Sequence, residues 1–377
     1  MSAAIQPVEF PHVAATHQYG FKVWFGMDYP AWQRLLTHNR FDVSPRYLHL
    51  LPLITLSSLR NSFLQQLEKA IFGRRIERTE LVAQPLFVIG HWRSGTTLLH
   101  ELLNTDDQLT SPSTYQCFFP GHFLVSTRYS VHLLRFALPA QRFSDSVPLG
   151  WHQPMEDEFA LCNLGVPSPY LVSAFPNRPQ SSASFSLAGL SAPDLARWKE
   201  ALTGFLTRIT LQDPRRIVLK SPTHTYRLRV LLDMFPEAQF IHIVRDPFEV
   251  FRSTLHSTKV AYLLHALQVP NFRGLEESVF QNFLLLHQQL DAARSLLTPA
   301  NFHEVRYEDL VNHPIEEMRR LYARLGLGDF DATQPRLEEL LRARAGYRSS
   351  SESLSKVWQA RVAERWGNII ERYGYNR

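Results

Sequence analysis

The chain of 377 residues is long enough to bury a sizeable core in one large or two modest domains. Hydrophobic residues make up 45% and charged residues 20%, a globular composition that excludes a disordered chain and a coiled coil. The net charge of +5 is too small for a typical nucleic-acid-binding protein, but it is compatible with a basic pocket for an anionic ligand. The two cysteines, Cys117 and Cys162, exclude a disulfide framework and a structural zinc site, and indicate a reducing compartment.

Residues 1–84 are predicted to form a helical N-terminal extension. Residues 1–20 lack the basic start and apolar run of a secretory signal. The apolar stretch 47–59 is shorter than the roughly 20 residues that span a bilayer. A helical apolar pattern that we interpret as a packing face follows: Leu59, Phe63, Leu64, Leu67 and Ile71. Contact with a membrane surface or a lipid-like substrate is the alternative, so we expect a cytoplasmic protein, with or without membrane attachment.

From Pro85 onward, short apolar runs alternate with helical patterns. The apolar runs predict buried strands at 85–90, 216–220, 239–244 and 302–307. The helical patterns after them lie at 97–104, 226–235, 248–257 and 314–325. This alternation predicts an α/β domain over residues 85–377, with a parallel sheet flanked by helices.

Two segments rich in serine are predicted to be loops, at 176–193 and at 348–356. Both flank the predicted α/β core. We interpret them as linkers, with lids over a ligand as the alternative.

The turn after the first predicted strand has the composition of a phosphate-binding loop. Gly90 and Gly95 have the spacing of a Walker loop, but Thr96 occupies the position where that motif requires lysine. Arg93 supplies a cation upstream, and the start of the following helix supplies backbone N–H groups. We therefore predict an anion site formed by these residues: Arg93, Ser94, Gly95, Thr96 and Thr97.

A second basic position follows the strand at 239–244. That strand ends at Arg245, where a nucleotide hydrolase needs an acidic ligand for Mg²⁺. Ser253 lies eight residues further on, about two helical turns, so its hydroxyl and the Arg245 guanidinium could meet at one phosphate. The pattern predicts a doubly anionic nucleotide bound without a metal.

Four motifs, in this order and spacing, resemble the PAPS-dependent sulfotransferases. PAPS is 3′-phosphoadenosine 5′-phosphosulfate. The branch with the sequence Arg-Ser-Gly-Thr-Thr, which includes tyrosylprotein sulfotransferases and many bacterial and carbohydrate enzymes, is the most similar. The resemblance covers about residues 85–330, and its motifs are 87–103, 219–222, 240–247 with Ser253, and 305–310.

The resemblance implies a P-loop NTPase-like fold and transfer of a sulfuryl group from PAPS to a hydroxyl or amine. It implies that the loop from Arg93 to Thr97 binds the 5′-phosphosulfate, while Arg245 and Ser253 bind the 3′-phosphate at a separate site. It further implies that Tyr307 contributes to nucleotide binding. Lys220 matches a lysine that assists catalysis, and we expect it to act with Arg93 on the leaving phosphate.

The general base is not fixed by the resemblance. The window at 113–116, where tyrosylprotein sulfotransferases have a glutamate, contains no carboxylate, and this disfavours protein tyrosine as the acceptor. The candidates are Glu156 and Glu158, in an acidic triplet that opens a helical pattern, and His224. Acidic residues in a first helical turn are also common capping residues, so a structural role is the alternative.

The expected acceptor is a small molecule, a carbohydrate or a lipid-like compound. Aromatic residues such as Trp92 and Tyr170 are interpreted as core residues, with stacking on the acceptor as the alternative. A nucleic-acid partner and a metal are not expected, and the oligomeric state is not predicted. The rival hypotheses are a P-loop kinase or NTPase and a non-catalytic nucleotide-binding protein.

Overall fold

A parallel sheet of five strands forms the centre of the fold. The computed structural model describes residues 22–134, 138, 141, 149–179, 182–344 and 354–375. The strands are β1 Leu86–Gly90, β2 Leu109–Thr110, β3 Arg216–Lys220, β4 Gln239–Val244 and β5 Phe302–Arg306. They lie in the order β2-β3-β1-β4-β5, and every pair is parallel. After β1, the chain adds β2 and β3 on one side of this strand and then β4 and β5 on the other. The carboxyl ends of β1, β3 and β4 therefore border one crevice.

The predicted α/β class, with a parallel sheet flanked by helices, is confirmed. The strands at 216–220 and 239–244 have the predicted bounds. The other two differ by one residue, and Tyr307 begins a helix where the last residue of a strand is predicted. Strand β2 is not predicted, because its two residues are too few to produce a periodic pattern.

Helices pack on both faces of this sheet. The described α-helices are α1 Tyr29–His38, α2 Leu50–Glu77, α3 Thr96–Leu103, α4 Thr114–Phe118, α5 Phe123–Leu133, α6 Glu158–Asn163, α7 Ala183–Ser186, α8 Ala192–Gln212, α9 Leu228–Met234, α10 Pro247–His265, α11 Leu275–Ala293, α12 Tyr307–Asn312, α13 Pro314–Leu325, α14 Phe330–Ala343 and α15 Lys356–Arg372. Short 3-10 turns lie at Pro45–Tyr47, Pro169–Ala174, Pro222–Arg227 and Arg294–Leu296. The helices predicted after the four strands are α3, α9, α10 and α13, and α10 continues to His265.

Strand β1 is buried on both faces, as its uninterrupted apolar sequence predicts. Leu86 and Val88 belong to one hydrophobic cluster, and Phe87 and Ile89 belong to another on the opposite face. Burying such a side chain stabilises the fold by about 1.5–3 kcal/mol. The strand is therefore a rigid support for the loop that follows Gly90.

The N-terminal helices and the sheet share one core. Trp24 and Trp32 stack with their ring centroids 5.6 Å apart. Both rings are buried in the cluster that contains Phe87 and Phe240 of the sheet. The described part of the helical extension thus packs directly on the α/β region.

Helix α2 does not pack as its sequence predicts. Four residues of the predicted packing face are exposed: Leu59, Phe63, Leu67 and Ile71. The fifth, Leu64, is half-buried. The side that faces the protein buries Ile54 together with polar groups, namely Ser58, Asn61 and Glu68. The prediction that the apolar side packs on the protein is wrong. The opposite side faces the protein because its polar side chains have hydrogen-bond partners there, as described below.

The segment predicted as a loop at 176–193 contains α7 and the start of α8. Its Phe185 is buried and packs edge-on against Trp92, with the ring centroids 6.1 Å apart. Most of the second predicted loop, 348–356, lies outside the described residues. No helix within the described ranges has the length and hydropathy to cross a membrane.

Candidate active site

The loop between β1 and α3 has the backbone geometry of an anion site. Gly90, at φ 145°, lies so close to β4 that a Cβ atom would be 2.6 Å from the carbonyl oxygen of Ile243. The Ser94 hydroxyl donates to the His91 carbonyl at 2.8 Å and closes the turn. Helix α3 begins at Thr96, so its first N–H groups lie at the mouth of the loop.

Gly95 allows the loop to touch the residue that follows β5. Its φ of 104° is in the left-handed region, and a Cβ atom would lie 2.3 Å from Cδ2 of Tyr307. Only glycine accommodates both the backbone conformation and the close ring. Tyr307 is thereby held against the loop that follows β1.

Four of the predicted nucleotide-binding residues contact one another. Arg245 donates from Nη1 to the Arg93 carbonyl oxygen at 3.1 Å, and its guanidinium lies 4.3 Å from the ring centroid of Tyr307. Arg93 donates from Nε to the Ser253 hydroxyl at 2.8 Å. These residues follow β1, β4 and β5, three adjacent strands.

Arg93 and Arg245 are neighbours at the edge of the sheet, and their assignment to two separate anion sites stays a prediction. Arg93 and Arg245 lie side by side because β1 and β4 are neighbours, and the residues after neighbouring parallel strands meet at one edge of the sheet. The Arg93 side chain contacts Ser253, the hydroxyl predicted for the second site. These contacts group Arg93, Arg245 and Ser253 in a basic cluster.

Lys220 and Glu156 form an ion pair at the end of the neighbouring strand β3. Lys220 is its last residue, and Nζ lies 2.6 Å from Oε1 of Glu156. Only 1% of the lysine side chain is exposed, against 12% of the glutamate side chain. The pair is therefore largely buried, but water can reach the carboxylate.

Two aromatic residues connect Glu156 to the loop. The Tyr170 hydroxyl donates to Oε2 of Glu156 and accepts from Nε1 of Trp92 at 2.9 Å. Burial, and next the charge of Glu156, raise the pKa of Tyr170 well above its ordinary value, so its hydroxyl stays protonated and remains a donor. Sequence analysis suggests these rings as acceptor contacts but misses their bridge, because 78 residues separate Trp92 from Tyr170.

Glu158 lies in the protein interior. It accepts from Nη1 of Arg227 at 2.6 Å and from the Thr223 hydroxyl at 2.7 Å. Neither side chain of the Glu158–Arg227 pair is exposed to solvent. Arg227 also donates to the carbonyl oxygens of Phe185 and Ser184, each at 2.8 Å. The structure does not bring this carboxylate to the crevice.

His224, the third candidate base, is also enclosed. Its Nε2 lies 2.7 Å from Oδ2 of Asp157, and neither side chain is exposed. The imidazole packs edge-on against Phe87 of β1, with the ring centroids 5.1 Å apart. Asp157 and Arg227 are absent from the sequence-based set of candidates, because nothing in their spacing predicts these contacts.

Within the described ranges, no group of three or more His, Cys, Asp or Glu side chains is arranged to hold a metal ion. Both cysteines are buried and free. Burial raises the pKa of the Cys117 thiol and of the Cys162 thiol, so neither is a ready nucleophile.

Comparison with known proteins agrees with this geometry. Residues 85–331 match the model of the sulfotransferase family. The chain is 44% identical over 361 residues, 96% of its length and 93% of the relative, to omega-hydroxy-beta-dihydromenaquinone-9 sulfotransferase Stf3 from Mycobacterium bovis and Mycobacterium tuberculosis. It is 25% identical over 316 residues to carbohydrate sulfotransferase 6 from Homo sapiens, and this match covers 73% of each chain.

Solved structures of sulfotransferases share the fold. STF9 from Mycobacterium avium superposes with a TM-score of 0.68 at 18% identity and covers 92% of each chain. STF1 from Mycobacterium tuberculosis gives a TM-score of 0.59 at 18% identity, over 91% of this chain and 94% of that one. These neighbours and the family match lead to one conclusion: the chain belongs to the sulfotransferase family and has its P-loop NTPase-like fold.

Proposed function

We propose that this sulfotransferase uses PAPS as its donor and the hydroxyl of a lipid-like molecule as its acceptor. The observation that carries the donor assignment is the basic cluster of Arg93, Arg245 and Ser253 beside Tyr307. Among the described residues, the contacts of Arg245 are the carbonyl of Arg93 and the ring of Tyr307, and no carboxylate neutralises it. A cluster with this surplus of positive charge suits a ligand with more than one phosphate.

The loop fits the anionic end of such a donor. Gly95, Thr96 and Thr97 would offer backbone N–H groups and hydroxyls at the start of α3, as helix N-termini do for phosphates in general. Arg93, Arg245 and Ser253 would hold the remaining charge. Tyr307 supplies a flat ring that is already fixed by Gly95. PAPS, when bound, supplies the sulfuryl group and an adenosine bisphosphate leaving group.

Glu156 is the general base in this proposal. It would take the proton from the acceptor hydroxyl as the oxygen forms its bond to sulfur, and release that proton to solvent afterwards. The bond from sulfur to the bridging phosphate oxygen breaks, and its electron pair stays on that oxygen. Lys220, whose ammonium lies 2.6 Å from Glu156, would stabilise this charge together with Arg93.

Glu158 and His224 have structural roles in the same proposal. A base needs an opening through which substrate can reach it, and both side chains are fully buried with partners. Glu156 has such an opening and adjoins Lys220.

The acceptor class is inferred from the relatives. The name of the 44% identical relative specifies omega-hydroxy-beta-dihydromenaquinone-9, an isoprenoid quinone with a hydroxyl group at the end of its chain. We infer an acceptor of this kind, with a hydroxyl on a long apolar chain. A carbohydrate acceptor is the second candidate, because carbohydrate sulfotransferase 6 is also similar over 73% of the chain. The cytoplasmic location stays a prediction.

A transfer assay tests both parts of the proposal. Sulfur-labelled PAPS with EDTA is offered in one tube and labelled ATP with Mg²⁺ in another, each with an ω-hydroxylated menaquinone, a monosaccharide or a simple phenol. We expect label transfer from PAPS to the menaquinone, and loss of transfer in Arg93→Ala. Transfer from ATP alone would support a kinase, and binding of the product nucleotide without turnover on any acceptor would support a non-catalytic binding protein.

A further inference from the structure

Helix α2 exposes an apolar stripe along most of its length. The members of the stripe recur every three or four residues and therefore lie on one side of the helix: Leu53, Leu56, Leu59, Phe63, Leu67 and Ile71. Their exposed fractions range from 39% for Leu67 to 68% for Phe63. A row of six large apolar side chains in water marks an interaction surface rather than ordinary scatter of exposed residues.

The orientation of the helix is fixed by polar contacts on its other side. Asn61 donates to the carbonyl oxygens of Phe25 and Met27 at 3.2 and 3.0 Å. Glu68 accepts from Nε of Arg208 at 2.9 Å and from the backbone N–H of Leu124 at 2.8 Å. Rotating the stripe inward would leave these buried groups without partners, which is costly. The helix is therefore held with its apolar side outward.

The neighbouring helix α5 extends the exposed apolar surface. Arg60 of α2 donates to the Ser130 hydroxyl of α5 at 3.3 Å, so the two helices are adjacent. Helix α5 exposes 73% of Tyr129 and 78% of Leu133. Tyrosine at the edge of such a surface is typical of a boundary between water and lipid.

The charge around the stripe is basic. Residues 46–78 contain six basic and two acidic residues, and one of the acidic ones, Glu68, is buried. Three exposed arginines lie where the helix ends: Arg74, Arg75 and Arg78. A helix with a Leu/Phe side and basic residues beside it matches anionic lipid headgroups over an acyl layer.

We propose that α2, with the adjoining end of α5, docks on a bilayer that contains anionic phospholipids. The apolar stripe would enter the boundary between headgroups and acyl chains, and the arginines would contact phosphates. The argument for a membrane over a second protein is the charge, because a protein partner does not require a basic border.

A series of packed helices links the proposed docking surface to the active site. Helix α5 packs on α4, and α4 packs on α6, which begins two residues after Glu156. A lipid acceptor would then be taken from the membrane rather than from solution. This consequence rests on the proposed function, but the docking itself does not, so it is measured without donor or acceptor.

Vesicle co-sedimentation tests the proposal. The full chain is mixed with vesicles of equal parts phosphatidylcholine and phosphatidylglycerol, and with vesicles of phosphatidylcholine alone. We expect binding to the mixed vesicles that weakens in high salt. Leu56→Ser with Phe63→Ser, and separately Arg74→Glu with Arg75→Glu, should each weaken it about tenfold or more. The matched control, Leu296→Ser with Val357→Ser, removes exposed apolar side chains elsewhere and should bind like wild type.

Three results would overturn the proposal. The first is wild-type protein that stays in the supernatant with both vesicles. The second is equal binding by the α2 variants, whose folding is checked by their circular dichroism and melting temperature. The third is a solution mass of twice 43.6 kDa for wild type that falls to 43.6 kDa in Leu56→Ser with Phe63→Ser, which would show that a second copy covers the stripe.

Discussion

Replacing Glu158 by glutamine should destabilise the fold, although the residue lies only two positions from the proposed base. The substitution removes the charge that Arg227 faces at 2.6 Å, in a pair with no solvent exposure. Breaking one side of a buried ion pair costs about 3–5 kcal/mol. For a chain of 377 residues, an unfolding entropy of about 2.1 cal/mol/K per residue gives roughly 0.8 kcal/mol/K. The melting temperature should therefore fall by about 4–6 °C.

Replacing Glu156 by glutamine should abolish most of the activity with a smaller loss of stability. An amide of the same shape cannot accept the proton of the acceptor hydroxyl, and loss of a general base slows a reaction by about 10²–10⁴-fold. Lys220 also loses its counterion, but water reaches this end of the pair through the exposed 12% of the glutamate side chain. We expect the melting temperature to fall by less than half as much as in Glu158→Gln.

Initial rates with saturating PAPS, together with thermal melting curves, distinguish the two variants. Affinity for the product nucleotide PAP, measured by calorimetry, serves as the control for an intact cleft and should be unchanged in Glu156→Gln. His224→Asn should resemble Glu158→Gln, because it disturbs a buried pair. A wild-type rate in Glu156→Gln, or an inactive Glu158→Gln with an unchanged melting temperature, would refute the assignment of the base.

Three further predictions concern the loop and the interior. Arg93→Ala and Arg245→Ala should each weaken PAP binding about 10-fold or more, because each removes charged hydrogen bonds from the basic cluster. Only Arg93→Ala should also slow transfer strongly. Unchanged calorimetric affinity in both variants would contradict the assignment of this cluster to the nucleotide. Gly95→Ala should abolish PAP binding through its clash with Tyr307, whereas Gly326→Ala, also at positive φ but with nothing within 4 Å, should retain it. Burial lowers the pKa of His91 and His122 to about 4 and the pKa of His265 to about 3. As the pH falls, these histidines take up protons in the unfolded chain before they do so in the folded protein. The free energy of unfolding should therefore be highest above about pH 6.5 and decrease as the pH drops toward 4, by up to about 1.4 kcal/mol per pH unit for each histidine. A free energy of unfolding that does not change over that pH range in denaturation experiments would contradict this prediction.

Much of the fold could be predicted because its signals are local. The strand at 239–244 is an apolar run, and the residue that ends it, Arg245, lies where parallel strands place their binding residues. The meeting of Arg93, Arg245 and Ser253 follows from the same rule, although the side-chain contact between Arg93 and Ser253 does not. Side-chain direction depends on packing between segments 160 residues apart, which no local pattern encodes.

The choice between Glu156 and Glu158 could not be made from the sequence. Both residues stand beside the start of α6, where successive side chains point in different directions, and the partner of each comes from a distant segment. Lys220 reaches Glu156 from β3, and Arg227 reaches Glu158 from the turn that follows β3. Which carboxylate faces the crevice is therefore decided by tertiary packing.

The exposed side of α2 shows where a periodic pattern misleads. Periodicity establishes that Leu59, Phe63 and Leu67 share one side of a helix, but not whether that side faces the core. The buried contacts of Asn61 and Glu68 decide the orientation.

Hydrogen bonds join the loop that follows β1 to Glu156, the proposed base. Trp92, the neighbour of Arg93 in the loop, donates to Tyr170, and Tyr170 donates to Glu156. The direction of these hydrogen bonds is fixed, because an indole N–H can only donate and the raised pKa of Tyr170 keeps its proton in place. Glu156 thus receives one donor on each oxygen, Lys220 on Oε1 and Tyr170 on Oε2, so its carboxylate cannot turn freely. A change that displaces the loop therefore also displaces the base, which is the coupling that a reaction between two bound substrates requires.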